Sequence, residues 1–442
     1  MKKIINSLKQ LNYKLFIALL VMGLIPTIYT TVRIFFLGQM PGDWGFNIAS
    51  QLSWINLLYE IIQEALILPL FYFIGKAFSA GEKTLLNNVR TGAIATFGVY
   101  SFLSILIIIF AEYFIRFMAQ DVSLIDATIE YIRLETVAIV FSTLVKYMVV
   151  VLVTIKKEGY LYLILGLQMV LSIVLDVFFV SSLSVSLKLG VNGIAYTNII
   201  VNVLLLALSI VLLNKEKIKI FAKEKLSFAW LKEWAKVGGI SGLESFVRNI
   251  AFMLMIVRMV NVVGEQGTFW VANNFIWGWL LLPVLQLGEL IKRDCGEEGF
   301  NAVKNKSLAY FSITLIIVLI WIVTIPAWEP FIRVIMNVDN SHEVYYIALI
   351  SLAFYVLFAF NNVIDSVFYG LGKTDYMLFQ SLIINTVYYG IMFVLYVTGI
   401  YSPSLIKIAL MFAGGTALDS VLTYFIFVWM LKKKKKEYNV LA

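Results

Sequence analysis

Stretches of this 442-residue sequence that are otherwise apolar hold basic residues at Arg33, Lys146, Arg248 and Arg258, and acidic ones at Glu60, Glu64, Glu135, Asp176, Glu244, Glu289, Asp365 and Asp419. An ionised side chain at mid-bilayer costs about 2.5 to 3.5 kcal/mol on insertion scales, so an intramembrane charge marks a function until a simpler role accounts for it. Guanidinium and ammonium groups bordering a wet gap suit a carboxylate or phosphate cargo.

Simpler roles exist for some of them. Arg33 lies about one turn before Gly38 and Arg258 six residues before Gly264, so each can snorkel to the outer interface. Glu244 and Arg248 are four residues apart, in the better orientation for a helical ion pair. Glu289 falls near the cytoplasmic end of its run, where water solvates it. Lys146 is harder to place: eleven residues from Glu135, it shares that helix face about 16 Å away, so it needs a partner on another helix or water. Glu60, Gln63 and Glu64, with Tyr59 and Gln51, make one face too polar for lipid, and that face should line the interior. Further on, Asn273, Asn274, Trp277, Trp279 and Gln286 combine aromatic surface with hydrogen-bonding groups, while Trp270 suits an interfacial belt.

The elements that carry these residues follow from composition. The chain is 61% hydrophobic and 14% charged, against roughly 45 to 50% and about 25% in soluble domains. Apolar runs fall at about 12–37, 48–75, 88–112, 128–154, 160–182, 190–213, 234–263, 268–291, 305–328, 344–370, 375–399 and 404–431. Each is long enough for the roughly 20 residues a transmembrane helix needs, and none shows the alternation of a barrel strand. The fold class read from the sequence is therefore an all-α integral membrane protein with twelve spans. A first run from Leu15 to Leu37 exceeds a signal-peptide core and lacks a small-x-small cleavage site, so it reads as a retained helix. The net charge of +8 comes from basic residues set between the apolar runs. With both termini cytoplasmic, Lys2, Lys3, Lys9, Lys14, Lys76, Lys156, Lys157, the cluster from Lys215 to Lys236, Lys292, Arg293, Lys373 and the run from Lys432 to Lys436 all lie inside. That asymmetry fits the positive-inside rule and membrane lipids as partners, with no nucleic acid. One cysteine, Cys295, and one histidine, His342, leave no disulfide within the chain and no His-rich metal site.

Two halves read as related. Gly42-Asp43-Trp44-Gly45 with Ala49 and Trp54 recurs as Gly264-Glu265-Gln266-Gly267 with Ala272 and Trp277, and Lys157-Glu158-Gly159-Tyr160 as Lys373-Thr374-Asp375-Tyr376. Their order supports a duplicated six-helix unit: an N-lobe at 1–213, a cytoplasmic linker at 214–233 and a C-lobe at 234–442. Because six is even, the copies insert in parallel.

Several stretches resemble the multidrug and toxic compound extrusion (MATE) family of secondary transporters. They are the first helix from Pro26 through Tyr29 and Arg33 to Phe36-Leu37-Gly38, the loop Ile74-Gly75-Lys76 to Ala80-Gly81-Glu82, Ser172-Ile173-Val174-Leu175-Asp176, Leu189-Gly190-Val191-Asn192-Gly193-Ile194-Ala195, and Tyr369-Gly370-Leu371-Gly372-Lys373-Thr374. The resemblance implies two six-helix bundles, alternating access and export coupled to Na+ or H+. In members with an N-lobe cation site, the first helix carries an aspartate where this sequence has Arg33, and the fifth carries Asn and Asp where it has Ser172 and Asp176. A guanidinium stays charged at any accessible pH. Aimed at Asp176, it would form an internal ion pair in the cation's place, which argues against a site of the usual kind in the N-lobe. Glu244 lies near the acidic position of the seventh helix in C-lobe-site members, and Asp365 near that of the tenth.

The leading expectation is a MATE-like transporter, monomeric, exporting a small organic cargo of anionic or zwitterionic character. Arg33, Glu60, Gln63, Glu64, Lys146, Glu244, Arg248, Asn273, Asn274 and Trp277 are the candidate cargo contacts, and Asp176 with Arg33, together with Asp365, the candidate ion-coupling or ion-pair groups. A flippase for lipid-linked oligosaccharides shares the two-bundle plan and has reason to hold basic residues against a pyrophosphate. A lipid-acting membrane enzyme would draw on the outer segment 328–343, which offers Glu329, Asp339, His342 and Glu343. A transport-dead sensor or scaffold would also show altered ion-site residues.

Overall fold

The computed structural model describes residues 2–40, 44–157, 159–221 and 225–438, among which there are helices and no β-strand. Gly42, Asp43 and Glu158 of the repeat motifs, and residues 222–224 of the expected linker, lie outside the described residues. Among the described residues eleven helices are long and apolar enough to cross a membrane, and counting one bent pair as a single span gives twelve. They are α1 Tyr13–Leu37, α2 Trp44–Ala80, α3 Glu82–Phe117, α4 Val122–Thr154, α5 Gly159–Phe179, α6 Val191–Lys215, α7 Leu231–Val262, the broken α8 (Gln266–Leu280 and Leu282–Glu298, bent by 52°), α9 Phe300–Val334, α10 Ser341–Gly370, α11 Asp375–Val397 and α12 Leu405–Lys433. Their ends are set by local chemistry. Gly81 at φ +113 and Gly299 at φ +61 each separate two helices with a single residue, in backbone conformations that a side chain would resist. α7, α8 and α11 each contain a five-residue π-helical turn, at Met253–Val257, Ile276–Leu280 and Ile384–Tyr388. Such turns re-aim the face that follows them.

The chain gathers into two compact units, Ile28–Gly267 and a second made of Met1–Thr27 with Thr268–Ala442. This grouping differs from a six-and-six division, because α7 packs along α2 inside the first unit. The reason lies in α7's small residues: a Cβ at Gly238 would overlap the carbonyl oxygen of Ala65, and one at Gly242 would come within 2.9 Å of the Ala65 Cβ. The bare backbone lets the two helices touch, and Asn249 then donates to the Leu57 carbonyl at 3.1 Å. The linker is stitched to the same unit, with Asn87 donating to Ser227 O at 2.9 Å and Trp230 Nε1 to Thr91 Oγ1 at 2.8 Å.

A buried clasp of amides fastens the far end of α7. Gln51 and Asn261 exchange two hydrogen bonds, at 3.0 and 3.1 Å, and Asn261 also donates to the Met118 carbonyl at 2.7 Å. Gln266 donates to Gln120 at 2.9 Å, and Gln120 to Thr128 at 3.0 Å. In the second unit, the short helix Lys2–Leu8 is pinned to α9 by Ser7, whose hydroxyl donates to Asn305 O at 2.8 Å and accepts from Ala309 N at 3.1 Å. The hydroxyl thus sits inside the i to i−4 ladder of α9.

Candidate functional site

The candidate residues fall into three clusters of charge and polarity, two in the first unit and one in the second; a separate buried network joins Lys306 to Asp294 and Glu298 in the second unit. The first is closed. Arg33 of α1 reaches Asp176 of α5 with two nitrogens, Nε to Oδ2 at 2.9 Å and Nη2 to Oδ1 at 3.4 Å. Their side chains are 14% and 1% exposed, so the pair is desolvated and each charge depends on the other. Beside it Glu135 of α4, 2% exposed, accepts from Asn198 of α6 at 2.8 Å. Arg33 is thus engaged with a carboxylate in the position where the family resemblance places a cation, and the snorkelling alternative does not describe it.

The second cluster is open, on α2, α4 and α7. Arg248 bridges Glu60 at 3.1 Å and Glu244 at 3.5 Å, and these side chains retain 22 to 37% exposure. Lys146 donates to Gln63 at 2.9 Å, which supplies the partner on another helix that its isolation demanded. Glu64 interacts electrostatically with Arg248, Glu60 and Glu244, and Lys146 with Glu60, so the six residues form one patch. It holds three carboxylates and two cations. Held against hydrocarbon, these exposed ions would each cost a few kcal/mol, so the patch borders water. Arg258 is separate: its Nε donates to the Phe117 carbonyl at 2.8 Å and its guanidinium lies 5.6 Å from the Phe117 ring centre.

In the second unit, Trp277 packs edge-on against Tyr355 and Phe358, with ring centres 6.3 and 5.4 Å away. Asn274 donates to the Trp270 carbonyl of its own helix at 2.8 Å, while Asn273 is half-buried beside it. Asp365 of α10 accepts from Asn361 at 2.8 Å, and Asp419 of α12 accepts from Gln380 of α11 at 2.9 Å. Glu289 pairs with Lys292 at 2.6 Å at an exposed position. Sequence reasoning singled out Asp365 but not Gln380, Thr423 or the proximity of Asp419. Asp419 and Thr423 stand four residues apart on α12 and Gln380 lies on α11, and no spacing within one run ties these to Asp365 on α10. On the segment 328–343 His342 stands 3.5 Å from Glu329, exposed. Among the described residues no group of three or more His, Cys, Asp or Glu could hold a metal ion.

The sequence matches no protein-family model and no curated protein. Solved structures do match. A multidrug resistance MATE family transporter of the MOP superfamily, in an inward-facing conformation, aligns with a TM-score of 0.76 at 18% identity, over 94% of this chain and 96% of its own. The chain has the MATE fold. A transporter of the same description in an outward-facing conformation aligns with a TM-score of 0.64 at 17% identity, over 99% of both chains. A MOP superfamily transporter from Pyrococcus furiosus aligns with a TM-score of 0.66 at 16% identity, over 98% of both. That protein is described as having a binding pocket of reverse polarity that suggests a different function. Within the MATE fold, the open patch and the carboxylates of α10 and α12 are the chemistry left after Arg33 and Asp176 have satisfied each other.

Proposed function

We propose that this protein is a MATE-like secondary transporter of the cell membrane. It works as a single chain with both termini cytoplasmic and exports a small zwitterionic organic molecule by alternating access, driven by a Na+ or H+ gradient. The observation that carries the cargo class is the mixed-charge patch of Glu60, Gln63, Glu64, Lys146, Glu244 and Arg248. Of the two classes expected from the sequence, a zwitterion matches it better than an anion, because Arg33 is already paired and the patch holds more carboxylates than cations. A cargo carboxylate displaces Glu60 or Glu244 from Arg248, whose planar fork suits two oxygens. The freed carboxylates then receive the cargo's ammonium end. The reading is supported by the membrane-spanning fold and its likeness to transporters of the MOP superfamily.

Flux in proteoliposomes tests it. Uptake of a radiolabelled zwitterion should fall about tenfold or more in Arg248→Ala and in Lys146→Met, the loss of one charge-assisted contact each. Good transport of lipophilic cations with no transport of any zwitterion or anion, or unchanged zwitterion flux in both variants, would overturn it.

A further inference from the structure

In the first unit α4 and α6 end beside each other in the same way. Past α4, Lys156 stands at φ +63 and Lys157 N donates to the Leu152 carbonyl at 2.9 Å; past α6, Lys217 stands at φ +65 and Ile218 N donates to the Leu213 carbonyl at 2.9 Å. A left-handed residue at a helix end is usually glycine, because a side chain strains that conformation. Here both are lysines. The two ends are joined through Glu216, which accepts from Lys157 at 2.9 Å through one oxygen and from the Tyr160 hydroxyl at 2.8 Å through the other. That carboxylate is therefore fully engaged, and the exposed lysines around it, Lys156, Lys215, Lys217 and Lys219, form no ion pair among the described residues.

The chain beyond α6 stays close to the helix ends. Ile218, 5% exposed, packs with Leu205, Leu212 and Leu213, and Ile220 rests on the same core while its carbonyl accepts from Arg90 Nε at 3.1 Å. Further on, Ser227 N donates to Asn87 Oδ1 at 2.7 Å. With Ile218 and Ile220 turned inward, Lys217, Lys219 and Phe221 face outward. The Phe221 ring is 79% exposed and that of Phe228 47%. Among the described residues from Lys215 to Lys236, six lysines stand against two glutamates. A basic, aromatic segment held where two spans leave the hydrocarbon meets both of its needs in a bilayer surface: acidic headgroups supply the counter-charge, and the boundary with the acyl chains takes the ring. A free phosphate in water would satisfy the lysines and leave Phe221 wet.

We propose that the ends of α4 and α6 and the segment that follows α6 form a binding site for an acidic phospholipid. Lys156, Lys217 and Lys219 hold the headgroup phosphate, and Phe221 lies at the boundary between headgroups and acyl chains. The site rests on the spans and not on any cargo, so failure of the transport assignment leaves it standing.

Purified full-length protein in detergent is titrated with phosphatidylglycerol or with phosphatidylcholine of the same acyl chains, and bound lipid is counted by native mass spectrometry. Phosphatidylglycerol should bind more tightly by about tenfold or more, and Lys217→Gln combined with Lys219→Gln should remove most of that preference. Lys188→Gln, at an exposed lysine before the opposite end of α6, should leave it unchanged. Phe221→Ser should weaken phosphatidylglycerol binding, and glycerol phosphate, a headgroup without chains, should not compete. Equal binding of the two lipids, a parent-like preference in the double variant, a loss as large in Lys188→Gln, unchanged binding in Phe221→Ser, or displacement by glycerol phosphate overturns the proposal.

Discussion

Arg33 and Asp176 offer the sharpest test of how this protein treats buried charge. Replacing Arg33 with Ala strands a carboxylate that is 1% exposed, with Glu135 as its acidic neighbour. Breaking a buried pair from one side costs about 3 to 5 kcal/mol, because the surviving ion keeps its desolvation penalty and loses its compensation. The double change Arg33→Ala with Asp176→Asn removes the stranded charge, so it should be less damaging than Arg33→Ala alone. A coupling energy of about 2 kcal/mol or more follows. The comparison is Arg248 with Glu60, whose side chains are 37% and 35% exposed and whose pairing should be worth about 0 to 1 kcal/mol. Unfolding in mixed micelles, followed by tryptophan fluorescence, reads both cycles. An Arg33→Ala protein within about 1 kcal/mol of the parent, with additive single effects, would refute the claim that the guanidinium is committed to Asp176.

Two more outcomes follow. Gly238→Ala should lower the unfolding midpoint by the equivalent of about 1 to 3 kcal/mol, since its methyl would meet the Ala65 backbone; Gly239→Ala, with open space around it, should be neutral or stabilising by up to about 1 kcal/mol. At the surface Lys157 holds Glu216 at 2.9 Å; this contact keeps the carboxyl below its usual range and the lysine above its own. The carboxyl's contribution is full above about pH 4.3 and is lost as pH falls through its lowered folded value, while the lysine's is full below about pH 10.4 and is lost as pH rises through its raised one. Glu216→Gln should therefore flatten the acid limb of a stability–pH curve, and an unchanged limb would count against the pair.

The spans were legible because apolar runs of helical length can do little else in a chain this hydrophobic; their ends were not, since runs read as closing near 75 and 291 continue as helix to single glycines at Gly81 and Gly299. The pairing of Glu244 with Arg248 was legible as well, since both lie on one helix four residues apart. What could not be read was which helix faces which. Lys146 finds Gln63 across 83 positions, and the pairing of Arg33 with Asp176 across 143 was raised only by the family resemblance, not by hydropathy. The rotation of each helix about its axis, altered partway by π-helical turns in α7, α8 and α11, decides such meetings, and a hydropathy pattern carries too little phase information to fix it. The same limit hid the oxygens around Asp365, which come from three helices.

The amide clasp has a consequence for energetics that its hydrogen-bond distances do not announce. Gln51, Asn261, Gln120 and Gln266 are neutral at every physiological pH. A transmembrane voltage does work only on charge, about 2.3 kcal/mol per unit per 100 mV, and on this fastening it does none. Added salt has no field there to screen. The far end of α7 is thus held by a seam blind to the electrical and ionic state of the membrane, and what loosens it is the arrival of water or a neighbouring backbone able to take over its bonds.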